Sequence, residues 1–390
     1  MATENSGVVA VEEVTPTEAF GELQSPDVAL IDTREPYEYA EVRIEGSKLI
    51  PPAMVADEIS KAVPDKSTRI ILQCRSGARS ATAAEQLMRL GYVDVASMAG
   101  GILEWEAAGL PTASDANLTP EQRDRYSRHT LLPEVGVDGQ VKLLEAKVLL
   151  LGAGGLGAPT ALYLAAAGIG KIGIVDDDVV DASNLQRQVI HKLSTVGTPK
   201  SSSAREAIEN LNPDVEVVEY NFRLDSSNIL DVIRDYDIIV DGADNFPTRY
   251  LLNDASVRLQ KPVVSASILS FDGQISTFMP YEGPCYRCLY PTPPPPELAP
   301  SCSENGVLGV MAGMMGLMQA NEVLKLVLGI GEPLIGRLLL YEALGTRFTE
   351  LKVRRDPECP ICGPNAPEVP ESEMGQFPDY EAFCGGHVGS

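Results

Sequence analysis

Three groups of side chains in this 390-residue chain have the types and spacing to do chemistry. The first is Cys74-Arg-Ser-Gly-Ala-Arg79, a polar run directly after the apolar Arg69-Ile-Ile-Leu-Gln73. A short loop between a strand and a helix N-terminus turns backbone N–H groups inward and makes an anion nest. Cys74, followed by Arg75, Ser76, Gly77, Ala78 and Arg79, is therefore expected to hold a thiolate or persulfide anion, the form that sulfur chemistry needs. One residue fewer separates Cys74 from Arg79 than separates Cys from Arg in the cysteine phosphatases. The competing reading of Cys74 is a buried small hydrophobe, and the polarity of the loop argues against it.

The second group is Gly152-Ala-Gly-Gly-Leu-Gly157 after a strand-like run, with Asp176 placed 19 residues beyond Gly157. Gly152, Gly154, Gly155 and Gly157 let phosphates approach the backbone, and Asp176 can grip a ribose hydroxyl. An NAD-dependent dehydrogenase would carry the same fingerprint. Arg187 and Lys200 could neutralise triphosphate charge and Asp244 could hold Mg²⁺, which suits phosphoryl or nucleotidyl transfer better than hydride transfer. The same residues would otherwise be solvated surface charges. The third group is Cys285-Tyr-Arg-Cys288 with Cys359-Pro-Ile-Cys362. Two such knuckles can give four thiolates to a closed tetrahedral Zn²⁺ site, structural because no coordination position stays open. Redox dithiols are the alternative.

The elements around these groups read as α/β throughout. Short apolar runs at 27–33 and 69–74, each followed by a stretch of helix type such as 80–90, predict a parallel sheet in a first domain over residues 1–113. A small, polar linker at 114–118 precedes Thr119-Pro-Glu-Gln122, which reads as N-cap, first helical proline and capping-box partner. Strand candidates at 147–151, 171–175, 215–220, 237–241 and 262–265 alternate with helical stretches, a Rossmann-like doubly wound pattern for a second domain over 119–365. Pro293-Pro-Pro-Pro296 reads as a stiff spacer in an exposed crossover, with Cys302 just beyond it. Met311, Met314, Met315 and Met318 share one helical face, read as a core helix. Residues 366–390, rich in Pro, Glu and Gly, read as a tail with Cys384 as a free thiol.

Composition narrows the partners. A formal net charge of −24 argues against nucleic-acid or anionic-membrane binding. No apolar stretch reaches the length of a membrane span, and the first residues lack a secretory pattern, so the expectation is a cytoplasmic protein. Three histidines are too few for His-rich metal chemistry.

Over roughly residues 12–112 the sequence resembles a single-domain rhodanese. Ile31-Asp-Thr-Arg-Glu-Pro-Tyr-Glu-Tyr39 is similar to that family's opening signature, Cys74-Arg-Ser-Gly-Ala-Arg-Ser80 to its active loop and Gly100-Gly-Ile-Leu-Glu-Trp105 to its closing one, while Val42-Arg43 departs from the usual Gly-His. The resemblance implies that Cys74 carries a persulfide, loaded by an upstream sulfur donor such as a cysteine desulfurase.

Residues 118–363 resemble the MoeB/ThiF family of ubiquitin-activating-enzyme-like adenylyltransferases. The resemblance is carried by Arg125-Tyr-Ser-Arg128, the glycine loop, Ser183-Asn-Leu-Gln-Arg-Gln188, Asp244-Asn245, Phe271-Asp-Gly-Gln-Ile275, both C-x-x-C pairs, and Ser301-Cys302 followed by Gly306-Val-Leu-Gly309. It implies an ATP site at Gly155, Asp176, Ser183, Asn184, Arg187, Lys200, Asp244 and Asn245, with Arg128 reaching into a second copy and hence a homodimer. It further implies that Cys302 takes part in acyl or sulfur transfer, and that the substrate is a small ubiquitin-like sulfur-carrier protein of the MoaD/ThiS type ending in Gly-Gly. Molybdopterin synthesis is the expected pathway, with thiamin, cysteine and tRNA thiolation as alternatives. Rhodanese precedes the adenylyltransferase here, unlike the fused members that carry it at the C-terminus. The two distant alternatives are an NAD-dependent oxidoreductase and a non-catalytic zinc or redox module.

Overall fold

The computed structural model describes residues 11–113, 118–294, 306–367 and 369–385. Cys302, half of the proline run and most of the expected linker lie outside them. The chain divides into two compact units, residues 1–141 and 142–390.

The first unit holds five strands, β1 (Glu12–Val14), β2 (Val28–Asp32), β3 (Lys48–Leu49), β4 (Arg69–Gln73) and β5 (Val95–Met98), in the order β1-β5-β4-β2-β3. Every pairing is parallel. A parallel sheet is covered on both faces, so its central strand reads as an unbroken apolar run. On β4, Ile70 and Leu72 join one core with Ile59 and Leu87, while Ile71 points into the other with Ile102 and Trp105. The sequence-derived strands at 27–33 and 69–74 correspond to β2 and β4. The helix after Cys74 runs Ala78–Arg89.

In the second unit β6 (Lys147–Leu151), β7 (Lys171–Val175), β8 (Glu216–Tyr220), β9 (Ile238–Asp241) and β10 (Val263–Leu269) are parallel neighbours in the order β10-β9-β6-β7-β8. Three antiparallel strands, β11 (Asp272–Phe278), β12 (Arg337–Glu342) and β13 (Arg347–Lys352), extend the sheet beyond β10. Chain order reverses between β6 and β9, and the crevice at the carboxyl ends of those strands is where such sheets bind ligands. The helix Gly157–Ala167 packs so closely on the glycine loop that a Cβ at Gly157 would lie 1.9 Å from the Gly152 carbonyl oxygen. The methionine face belongs to the helix Gly309–Leu328, where Met311 and Met315 are fully buried and Met314 and Met318 pack against the same core. The capping box at Thr119, Pro120 and Gln122 forms as its residues dictate, opening the helix Pro120–Arg125.

The segment read from composition as a tail instead packs into the second unit's core. Met374, Phe377, Tyr380, Phe383 and Cys384 join a cluster with Tyr250 and Tyr286. The Tyr380 hydroxyl donates to Asp254 Oδ2 at 2.7 Å, and the Arg258 guanidinium stands 4.0 Å from the Phe377 ring centroid. Three-residue spacing of large apolar side chains decides the matter against an average rich in Pro, Glu and Gly. Among the described residues no helix is long and apolar enough to cross a membrane.

Candidate functional site

The Cys74 loop is built by two glycines. Gly77, at φ +95°, turns the chain into the helix Ala78–Arg89, a conformation that a β-carbon disfavours. Gly101 presses against the loop from outside, since a Cβ there would sit 2.2 Å from the Cys74 carbonyl oxygen, which accepts the Ile102 N–H at 2.8 Å. Within this frame the buried Cys74 Sγ accepts the Gly77 N–H at 3.1 Å and the Ser80 hydroxyl at 3.5 Å. Burial alone would push the thiol up. The Ser80 hydroxyl and the N–H groups of Ser80, Ser76 and Gly77 outweigh it and hold the thiol below its ordinary range.

Arg79 is engaged elsewhere. Its guanidinium pairs with both Glu38 carboxylate oxygens at 2.7 Å, so most of its charge is compensated, and Arg75 is the exposed cation of the loop. Ser76 and Ala78 are also exposed. Sequence reading quoted Glu38 and Ser80 within motifs but gave them no role, and it missed Ser97, whose hydroxyl donates to Ser80 Oγ at 2.9 Å. Only the serine placed immediately after the loop hinted at them.

In the second unit the glycine loop leaves β6 at Leu151 and turns at Gly152, φ +92°. Asp176, directly after β7, accepts the Ala153 N–H on Oδ2 at 2.8 Å and the Asp178 N–H on Oδ1 at 3.0 Å. Burial lifts its carboxyl above the usual range against those two hydrogen bonds and the charge of Lys200. Lys200 opens the helix Lys200–Leu211 and holds Asp178 Oδ2 at 2.7 Å. Arg187 lies beside Gly155, where a Cβ would stand 3.7 Å from its Cγ, and its Nη1 donates to the Ser183 carbonyl at 3.2 Å. Asn184 Oδ1 accepts the Asp181 N–H at 3.0 Å, while the Asp181 carboxylate takes the Ser183 N–H and hydroxyl at 2.8 and 2.6 Å.

Asp244 and Asn245 follow β9, the strand next to β6, and Gly242 O lies 3.3 Å from where a Gly152 Cβ would stand. Asn245 caps the helix Phe246–Leu259 through the Thr248 N–H at 2.9 Å and donates to Asp244 Oδ1 at 3.1 Å, leaving the Asp244 carboxylate exposed. Among the described residues the N–H groups of Gly154, Gly155 and Leu156, at the start of the helix Gly157–Ala167, meet no acceptor within the chain and so can receive an anion. The fold thus gathers Gly152, Gly154, Gly155, Gly157, Asp176, Arg187, Lys200, Asp244 and Asn245 around one crevice, with Ser183 and Asn184 joined to it through Arg187. Arg128 is an exposed residue of the helix Ser127–Thr130 in the first unit, and Cys302 is outside the described residues.

Arg249 was not anticipated. It pairs with the buried Asp241 at 3.1 Å, donates to the carbonyls of Ala243 and Ala266 at 2.7 and 3.0 Å, and so fixes the loop that carries Asp244.

The four knuckle sulfurs converge. Those of Cys285, Cys288, Cys359 and Cys362 all lie within 4.8 Å of one another, with close approaches of 3.9, 3.7 and 3.4 Å. Bonds of about 2.3 Å to a tetrahedral ion place thiolate sulfurs roughly 3.8 Å apart, so the donor set fits a closed metal site.

Known proteins share the sequence and fold of this chain. The ThiF family model matches residues 126–361 and the rhodanese-like domain matches residues 15–108. The sulfur carrier protein adenylyltransferase of Thermus thermophilus is 50% identical over 272 residues, 68% of this chain and 98% of that protein. The adenylyltransferase and sulfurtransferase MOCS3-1 of Zea mays is 48% identical over 272 residues, so the chain covers 70% of itself but only 58% of the maize protein. A crystal structure of Escherichia coli MccB with AMPCPP and MccA superposes with a TM-score of 0.55 at 26% identity, covering 62% of this chain and 74% of that one. A match across more than half of its length, and a bacterial relative spanned almost end to end, establish that the chain belongs to the ThiF family and carries a rhodanese-like domain ahead of its ThiF domain.

Proposed function

We propose that this chain adenylylates the C-terminal glycine of a small ubiquitin-like sulfur-carrier protein with ATP, then passes sulfur from Cys74 to the activated carboxyl. The observation that carries the reading is the pairing, in one chain, of a thiolate-stabilising loop with a glycine loop whose N–H groups await an anion. Its relatives are named adenylyltransferases and sulfurtransferases, and the chain is an enzyme of that kind. The name of the Thermus relative supports a sulfur-carrier protein as the substrate.

In the first step a carrier carboxylate oxygen attacks the α-phosphorus of ATP, and pyrophosphate leaves with the bonding electrons. Arg187 and Lys200 offset phosphate charge, Asp176 holds the ribose with Ser183 and Asn184 alongside, and Arg128 of a second copy completes the site in a homodimer. Most of the rate comes from positioning and charge stabilisation. Mg²⁺, when bound, supplies charge next to Asp244 and Asn245. In the second step the terminal sulfur of the Cys74 persulfide attacks the acyl carbon and AMP leaves, giving an acyl disulfide. A thiol reductant supplies two electrons, splitting the S–S bond into the carrier thiocarboxylate and the Cys74 thiol. Cys302 relays or releases the chain.

Zn²⁺ held by Cys285, Cys288, Cys359 and Cys362 would supply a rigid cross-link. Described cysteines without disulfides fit a reducing compartment, the cytoplasm, and an upstream cysteine desulfurase fits as donor. Assignment to molybdopterin synthesis rests on family resemblance.

The test is a division of labour. Asp244→Ala should abolish adenylate formation, while Cys74→Ala should leave it intact and stop thiocarboxylate formation. Equal loss of both steps in folded Cys74→Ala would sink the scheme.

A further inference from the structure

We infer that His191 is a positioning residue of the nucleotide site, one that aims the Gly154 N–H at the phosphates by holding the carbonyl of Ala153. The inference rests on the ATP reading above. His191 is buried, with Nε2 3.0 Å from Ala153 O and Nδ1 2.9 Å from Ser203 Oγ. A carbonyl can only accept, so Nε2 of the neutral ring carries the hydrogen and donates to Ala153 O. Burial, helped by the nearby charge of Lys200, favours that neutral ring over the hydrogen bond to Ala153.

The consequence lies in the next peptide unit. The Ala153–Gly154 bond is trans, and across a trans peptide the C=O and N–H point to opposite sides. Pinning Ala153 O to His191 therefore turns the Gly154 N–H the other way, toward the open side of the loop, where it meets no acceptor within the chain. The peptide on the other side of Ala153 is fixed as well, because its N–H donates to Asp176. One residue of the glycine loop is thus clamped from both directions. Ser203 lies on the helix that begins with Lys200, and its hydroxyl is 2.9 Å from Thr195 Oγ1, so His191 also ties the phosphate loop to the element that presents Lys200.

The experiment compares ATP–Mg²⁺ and adenosine binding by calorimetry, with the kinetic constants for ATP in pyrophosphate exchange, for the wild-type chain, His191→Gln and His191→Asn. Glutamine can place an amide N–H where Nε2 stands, whereas asparagine reaches only as far as Nδ1. His191→Asn should weaken ATP binding and raise the KM for ATP about tenfold, the lower end of what one hydrogen bond to a charged group contributes, while His191→Gln stays within about twofold of wild type. Adenosine has no phosphates and should bind all three proteins alike, which separates a misaimed phosphate donor from a loosened fold. Unchanged ATP affinity in His191→Asn overturns the inference, and so does an equal loss for ATP and adenosine. A wild-type chain that binds no ATP overturns the reading beneath the inference as well.

Discussion

Replacing Asp254 with asparagine should destabilise the second unit far more than loss of a surface ion pair. The Asp254 carboxylate is 1% exposed and accepts Arg287 Nε at 2.8 Å, Arg287 Nη2 at 2.9 Å and the Tyr380 hydroxyl at 2.7 Å. The guanidinium it compensates is buried too, between the rings of Tyr250 and Phe383 at 4.8 and 4.9 Å. Asparagine keeps the shape and removes the charge, and breaking a buried ion pair from one side costs about 3–5 kcal/mol. For a unit of this size each kcal/mol moves the melting temperature by roughly 2–4 °C, so the expected fall is roughly 6–20 °C. Tyr380→Phe removes one donor but leaves the ion pair, and should cost only about 1.5–3 kcal/mol. Arg287 stands between Cys285 and Cys288, so the asparagine variant should also lose bound metal to a chelator faster. Calorimetry on the full chain with a colorimetric chelator reads both effects. A loss under about 1 kcal/mol, the range of an exposed pair, would refute the argument that this ion pair anchors the C-terminal segment beside the knuckle.

Thiol reactivity should divide by pH. The reactive form is the thiolate, so the rate falls as pH drops through the thiol's pKa. Cys74 is held below the ordinary range, whereas burial first, then Glu381, pushes Cys384 up to about 11. At neutral pH iodoacetamide should therefore modify persulfide-free protein at Cys74 before Cys384, and Ser80→Ala should move the Cys74 profile to higher pH; mass spectrometry showing Cys384 labelled first would contradict this. Elemental analysis should find one zinc ion per chain in the intact protein, with both the ion and melting temperature reduced in Cys359→Ser. Full metal content in that variant would remove Cys359 from the ligand set.

Features legible in the sequence are those for which a local residue type is nearly obligatory. A glycine loop after a strand, paired cysteines with two residues between them and a Thr-Pro-x-Gln helix start each announce themselves, and each stands where expected. Strand β11 escaped because its buried positions include the small or polar Gly273, Ser276 and Thr277 and form no apolar run, and β13 because Arg347–Lys352 is exposed along its whole length. Strands β1 and β3 are three and two residues long, too short for periodicity to register. Partners supplied by distant elements were the least visible. Glu38 meets Arg79 across 41 residues and Arg249 meets Ser265 across 16, so no local pattern marks them. His191 looked like one of three ordinary histidines until the fold placed Ala153 beside it.

The most direct test of the central claim is ATP–pyrophosphate exchange by the intact, zinc-replete chain, with and without a panel of small carrier proteins ending in Gly-Gly. The account predicts exchange that depends on a carrier, persists in Cys74→Ala and disappears when the carrier's last glycine is removed. Absence of exchange with every carrier, from folded protein, would contradict adenylylation as the activity of this chain.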